Sequence, residues 1–192
     1  TNGVAGSYEK AFIGGYLMAM AADERDRSMA FGFGFGSKLA DFDPVAVGRD
    51  AGRKAVGMLG GKPVPTQKAT VVYSPFAAVS IAGALSRALG ADAIQRNRSF
   101  LQGKMGETVA SDMVTLLDNG RLPGGIGTRP FDDEGVPTGA TRLIDEGVLQ
   151  AVLHDHYTST RDGTASSTGN ASRSGHTGLP HLAASNFYFQ PG

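Results

Sequence analysis

Pro130-Phe131-Asp132-Asp133-Glu134-Gly135-Val136-Pro137-Thr138, running on through Arg142-Leu143-Ile144-Asp145-Glu146-Gly147-Val148-Leu149-Gln150 to Ala151-Val152-Leu153, reads as hairpin, strand, hairpin. Asp132, Asp133 and Glu134 bring three acids into a turn, and Gly135 takes the positive φ that a side chain disfavours. Pro137 stiffens the exit. Residues 141–144 and 148–153 form two short apolar runs separated by Asp145-Glu146-Gly147, a tight-turn signature that folds them into an antiparallel pair.

Working outward, residues 8–22 are small and apolar, and residues 29–35 alternate Phe31-Gly32-Phe33-Gly34-Phe35 with period two, which places three rings on one strand face. With the polar loop 23–28 between them, a long antiparallel hairpin is expected, its ring stripe packed in the core. Asp43-Pro44 is a cap with proline at the first helical position. It opens an amphipathic helix over 44–59 in which Val47, Ala51, Ala55 and Leu59 recur every fourth residue and Gly60-Gly61 ends the run. Gly48, Gly52 and Ala51 suggest a thin side lying close on a sheet. Residues 68–73 are β-branched and read as a buried strand. Ser74-Pro75 starts a second helix with Ala78, Ile81, Ala82, Leu85 and Leu89 on its apolar face. Strands are further expected over 112–117, with a turn at 118–120, from Gly125 into Phe131, and over 186–189. The expected class is α+β: a mostly antiparallel curved sheet or partial barrel with two packed helices.

The totals exclude several classes of function. The chain has 192 residues, enough for a real core, and equal numbers of acidic and basic side chains, 18 of each, which gives no electrostatic case for nucleic acid or a membrane surface. Cysteine is absent, which removes disulfides and thiolate zinc sites together and fits a reducing compartment. No run approaches the roughly 20 apolar residues of a membrane span and no signal peptide opens the chain. A cytoplasmic location is the expectation.

Three groups of side chains could carry chemistry. The acids Asp132, Asp133 and Glu134 are oxygen donors, but they lack calcium-loop spacing, and turn chemistry accounts for them. His154 and His156, two apart on an expected strand, would point the same way and could meet one metal ion. A third ligand has no sequence signal, and His176 and His181 lie in a loop-like stretch. Arg96, Asn97 and Arg98 form a small basic cluster that reads as solvated surface, or as a contact to a carboxylate or partner. Residues 157–174 are rich in Ser, Thr, Gly and Asn and read as loop or disorder.

Taken with Gly106-Glu107-Thr108-Val109-Ala110-Ser111 upstream, and with Ser167-Thr168-Gly169-Asn170-Ala171-Ser172-Arg173 and Ser185-Asn186-Phe187-Tyr188 downstream, the opening stretch resembles the TldD/PmbA (TldE) family of metalloprotease-like proteins. The separated matches occur in order, best from about Lys62 onward. Compared with family members the chain looks like a fragment: residues 1–61, hairpin plus helix, would end the N-terminal region, and residues 62–192 would form the start and middle of the C-terminal domain. In catalytic TldD members the second helix carries His-Glu-x-x-x-His, two zinc ligands and a base. Those positions fall on Ala82, Gly83 and Arg87. Alanine and glycine have no donor atoms, and a guanidinium repels a dication.

The resemblance therefore implies a PmbA/TldE-like non-catalytic subunit, with zinc held by a TldD-like partner, unfolded peptide as substrate, and a dimer with that partner or with itself. Asp132, Asp133, Glu134 and Arg173 would face the peptide cleft, and the strand at 186–189 could pair with an extended peptide through its edge. Two rivals belong to other classes: a self-contained metallohydrolase using His154 and His156, and a non-enzymatic binding module of the gyrase-modulator type.

Overall fold

The computed structural model describes Gly3 and residues 5–191. The chain divides into two compact units, one of Glu9–Val71 and one that runs from Val72 onward and includes Tyr8. In the second unit Tyr8 meets Phe131 edge to face, ring centroids 5.5 Å apart.

The first unit is a hairpin under a helix. Strands β1 (Ile13–Ala22) and β2 (Arg27–Gly36) pair in antiparallel register, Tyr16 opposite Phe33 and Met18 opposite Phe31. Helix α1 (Pro44–Gly57) starts where the Asp43 carboxylate accepts hydrogen bonds from the backbone N–H groups of Val45 and Ala46, 2.9 and 3.0 Å away. Two expectations reverse here. The Phe stripe is not core: Phe31, Phe33 and Phe35 are 48%, 41% and 50% exposed, and the opposite face, with Ala30 and Gly32, is the buried one. Helix α1 does lie close on the sheet, with Ala51 buried in the contact, but the glycines that permit the approach are on the strand and are not Gly48 and Gly52. A Cβ on Gly32 would lie 2.1 Å from the Val47 carbonyl oxygen and one on Gly34 would lie 2.8 Å from Val47 Cγ2, whereas nothing lies within 4 Å of a Cβ on Gly48 or Gly52. Helix α1 buries Val47, Ala51 and Ala55 and sets the first two against these glycines, and the rings are left on the far side because alternate residues of a strand point opposite ways.

The second unit holds the larger core. Residues 68–73, around the junction of the units, form no strand, and Val71 and Val72 are exposed, because no neighbouring strand supplies a ladder. Helix α2 (Pro75–Ala88) is capped by Ser74, whose hydroxyl accepts from Ala77 N at 3.3 Å. Its N-terminal half is exposed at Phe76, Val79 and Ile81, while Leu85 and Leu89 reach the core. Helix α3 (Ala91–Gln95) follows at once. Strands β3 (Leu116–Asn119), β4 (Ala140–Asp145) and β5 (Val148–Leu149) come next, then helix α4 (His156–Asp162), the short pair β6 (Ala171–Ser172) and β7 (His181–Leu182), and β8 (Phe187–Phe189).

The main sheet runs β5-β4-β3-β8, all neighbours antiparallel, and leaves β8 at one edge. Both turns expected between Pro130 and Leu153 form. Phe131 bridges Pro137 around a turn in which Gly135 has φ 84°, and Glu146-Gly147 joins β4 to β5 with φ 44° and 82°. Leu89, Leu101, Leu116, Leu143, Ile144, Leu149 and Leu153 make the buried cluster. The architecture is α+β with antiparallel sheets and four α-helices among the described residues, and no sheet closes into a barrel. The strand expected over 112–117 lies at 116–119, and Asp118 and Asn119, expected in a turn, are its last residues. The strand expected from Gly125 into Phe131 does not form; residues 125–130 are turn and irregular.

Candidate functional site: a buried polar scaffold beside an arginine-lined hollow

The polar stretch 157–174 is not featureless. The Asp155 carboxylate accepts from Thr158 N at 2.8 Å while Asp155 N donates to Thr158 Oγ1 at 3.0 Å, a reciprocal cap that starts α4, and Gly163 ends it with φ 66°. His154 and His156 therefore do not share a strand face. His154 is buried just before the cap and His156 is exposed as the first residue of the helix. No group of three His, Cys, Asp or Glu side chains that could hold a metal occurs among the described residues.

Burial holds the His154 imidazole below its ordinary pKa of 6.5, against the pull of Asp162 and Asp155 toward the charged form. Its Nδ1 atom has no hydrogen-bond partner among the described residues. A histidine with a depressed folded pKa leaves the unfolded chain holding more protons below 6.5. Its stabilisation is complete above about pH 6.5 and is lost as the pH falls toward the folded value. Thermal unfolding between pH 7.5 and 5 should show the midpoint falling with acid, with a slope from this group of at most about 1.4 kcal/mol per pH unit. His154→Gln should flatten that part of the profile.

The three acids of the Asp132 turn have distinct partners. Asp132 is 2% exposed and accepts from Glu134 N and Val136 N, both at 2.9 Å, and from Ala171 N at 3.0 Å. Asp133 meets Arg129 Nη1 at 3.3 Å and accepts from Arg173 N at 2.7 Å. Arg173 in turn donates from Nε to the Asp133 carbonyl at 3.1 Å. Glu134 accepts from His156 N at 2.8 Å, which places a carboxylate at the first turn of α4. The structure thus brings Asp132, Asp133, Glu134, Arg173 and His156 into one neighbourhood and joins the turn to β6 and α4.

Asp118 and Arg129, which carry no sequence signal beyond residue type, prove central. Asp118 is 2% exposed, and its carboxylate accepts from Asn170 Nδ2 at 2.7 Å and from Ser185 N and Oγ at 2.8 Å. Arg129 Nη2 donates to the Ala171 carbonyl at 2.7 Å. Asn186 donates from Nδ2 to Asn119 O at 2.7 Å and accepts from Gly127 N at 2.7 Å. Ser167 donates to His154 O at 2.9 Å, and Thr168 Oγ1 accepts from His154 N at 2.7 Å. Gly169 has φ 76°, and a Cβ there would lie 2.7 Å from Pro137 O. The side chains of the two downstream motifs therefore tie loops to the sheet from within.

On α2, Ala82, Gly83 and Arg87 stand in the half of the helix that approaches the core. A Cβ on Gly83 would lie 3.9 Å from Arg87 Nη1, so the guanidinium passes over the glycine. These residues do not fit zinc: two have no donor atom and the third is a permanent cation. Arg87 also lines a cavity of about 610 Å³ with Arg96, Arg98 and His181.

Residues 66–192 match the PmbA/TldA metallopeptidase C-terminal domain, and residues 1–59 match the central domain of the same family. A metalloprotease of Methanocaldococcus jannaschii is 35% identical over 162 residues, which cover 84% of this chain and 35% of that protein. Among solved structures, a proposed modulator of DNA gyrase from Bacteroides thetaiotaomicron superposes with a TM-score of 0.84 at 26% identity over 100% of this chain and 41% of that one. TldE from Thermococcus kodakarensis superposes with a TM-score of 0.75 at 26% identity, covering 92% of this chain and 40% of that one. The chain spans about a third of the length of the curated relatives it matches. On the strength of two successive domain matches that follow the chain from end to end, and of a fold shared with solved relatives, this chain belongs to the PmbA/TldA (TldD/PmbA) metallopeptidase family.

Proposed function

We propose that the chain acts as a PmbA/TldE-type part of a TldD/TldE-type metalloprotease, enclosing and presenting unfolded peptide while a TldD-like partner holds zinc and breaks the bond. The observation that carries this reading is the chemistry of α2. Ala82, Gly83 and Arg87 offer no lone pair to a dication, and the resemblance assigns to these positions the two histidines and the glutamate of catalytic members. The likeness to TldE from Thermococcus kodakarensis supports it. The edge strand β8 supports the peptide role, since an extended chain can add to an open edge through backbone hydrogen bonds with little dependence on sequence. No helix among the described residues is long and apolar enough to cross a membrane, in keeping with work in the cytoplasm.

A peptidase assay on the chain alone, and mixed with a TldD-like protein, tests the reading with casein as substrate. Cleavage is expected from the mixture and not from this chain, with or without added zinc. Zinc-dependent cleavage by the chain alone, abolished by His154→Ala, would replace this reading with a self-contained hydrolase. The gyrase-modulator description of the Bacteroides relative favours a second reading, a binding module that works without a protease. Recovery of a target but no TldD-like protein in a pull-down would support that one.

A further inference from the structure

The hollow at the end of α2 is built from three separate parts of the chain. Arg87 comes from the last turns of α2, Arg96 and Arg98 from the segment that closes α3, and His181 and Leu182 from β7. Asn97 lies between the two arginines with φ 58°, one of two residues other than glycine with positive φ among the described residues. Asparagine tolerates this left-handed conformation better than most residues. The reversal lets Arg98 N donate back to Ala93 O at 2.8 Å, and Gln102 Nε2 holds the Asn97 side chain at 2.7 Å. Ser99 Oγ then donates to Ala88 O at 2.7 Å and ties the segment to the end of α2. The backbone thus turns Arg96 and Arg98 toward the hollow that Arg87 already lines.

The charge balance of this hollow is one-sided. Three guanidiniums and an imidazole face it against the single carboxylate of Asp92. The three arginine side chains are exposed and, like those of Arg25, Arg27, Arg49, Arg121 and Arg161, form no ion pair or hydrogen bond among the described residues; what sets them apart is that they line one hollow. A cation at Arg87 is favoured by the carbonyl end of α2, but that leaves Arg96 and Arg98 unexplained. Like charges around a concavity raise its potential toward anions, and the planar fork of arginine matches a carboxylate or phosphate with two parallel hydrogen bonds. Apart from the Ser86 hydroxyl, the remaining lining is apolar, Leu182 with neighbouring alanines.

We propose that this cavity is an oxyanion site and that, in the peptide-handling role set out above, it takes the C-terminal carboxylate of a peptide, with an aliphatic terminal side chain against Leu182. The inference rests on that role, and a binding experiment on the chain without any partner tests it separately. Calorimetric titration at low ionic strength would use a hexapeptide of alanines ending in leucine, the same peptide amidated, and inorganic phosphate. The free acid should bind at least about tenfold more tightly than the amide. Arg96→Gln and Arg98→Gln should each weaken the acid severalfold while leaving the circular dichroism unchanged. Arg98→Lys, which keeps charge but loses the fork, should fall between. Phosphate competing with the peptide supports the shared oxyanion chemistry. Phosphate binding without peptide binding overturns the carboxylate assignment. Equal binding of acid and amide, or indifference to both glutamine variants, overturns the site altogether. If the site fails while the chain still stimulates a TldD-like partner, only this inference falls.

Discussion

Asp118→Ala is expected to lower stability by about 3 kcal/mol. The carboxylate is 2% exposed and serves three donors, Asn170 Nδ2, Ser185 N and Ser185 Oγ. Alanine would strand both Ser185 donors and one hydrogen of the Asn170 amide, whose other hydrogen still reaches Ala183 O at 3.2 Å, and a donor stranded in the interior keeps its full desolvation penalty. Thermal denaturation should show the midpoint dropping by about 6–12 °C for a chain of this size. Asp118→Asn should lose roughly half as much, since its amide oxygen still accepts but its NH2 meets the NH2 of Asn170. A change under about 1 kcal/mol in the alanine variant would mean that the Asn170 and Ser185 loops are held by something other than this carboxylate.

Gly32→Val should be equally damaging, but in the hairpin unit. The new Cβ would fall 2.1 Å from the Val47 carbonyl oxygen and 2.9 Å from Ala51 N, both backbone atoms, so no rotamer relieves the clash and α1 must lift off β2. Losing that packing costs about 3 kcal/mol or more. Hydrogen exchange should find protection lost across β1, β2 and α1 and retained in β3 and β4. The contrasting variant is Gly48→Ala. It points into open space, and helix propensity alone should raise stability by about 0.5–1 kcal/mol. A harmless Gly32→Val, or a damaging Gly48→Ala, would mean that the helix rests on its other face.

What could be read from the residues was what short-range chemistry decides. Asp43-Pro44 and Ser74-Pro75 start helices because cap and proline act within one turn, and Glu146-Gly147 closes a hairpin because two successive positive φ angles suit that turn. The alternation over 29–35 correctly put three rings on one side of a strand. A period of two does not say which side is covered, and here the glycine side meets the helix. The β-branched run over 68–73 failed as a strand because propensity acts only where a partner supplies a ladder. Helix α4 leaves no periodic signal in the residues, because it has no apolar stripe and depends on the reciprocal cap of Asp155 and Thr158.

The candidate site divides in the same way. The downstream motifs point to Asn170 and Ser185, but their partner Asp118 lies more than fifty positions away, where Asp118-Asn119-Gly120 carries the signature of a turn. The arginine hollow was half visible as the cluster Arg96-Asn97-Arg98. Only the topology adds Arg87 and His181 to it.

The uncovered face of the β1-β2 hairpin has one more consequence. Beside its rings it carries Met18, Met20 and Met29, which are 54%, 66% and 56% exposed. Peroxide converts a thioether into a polar sulfoxide, and methionine sulfoxide reductases reverse the change. The wettability of this face is therefore adjustable by oxidation without any change of fold, and the rate at which these three sulfurs oxidise in cells reports how much of the time something lies over them.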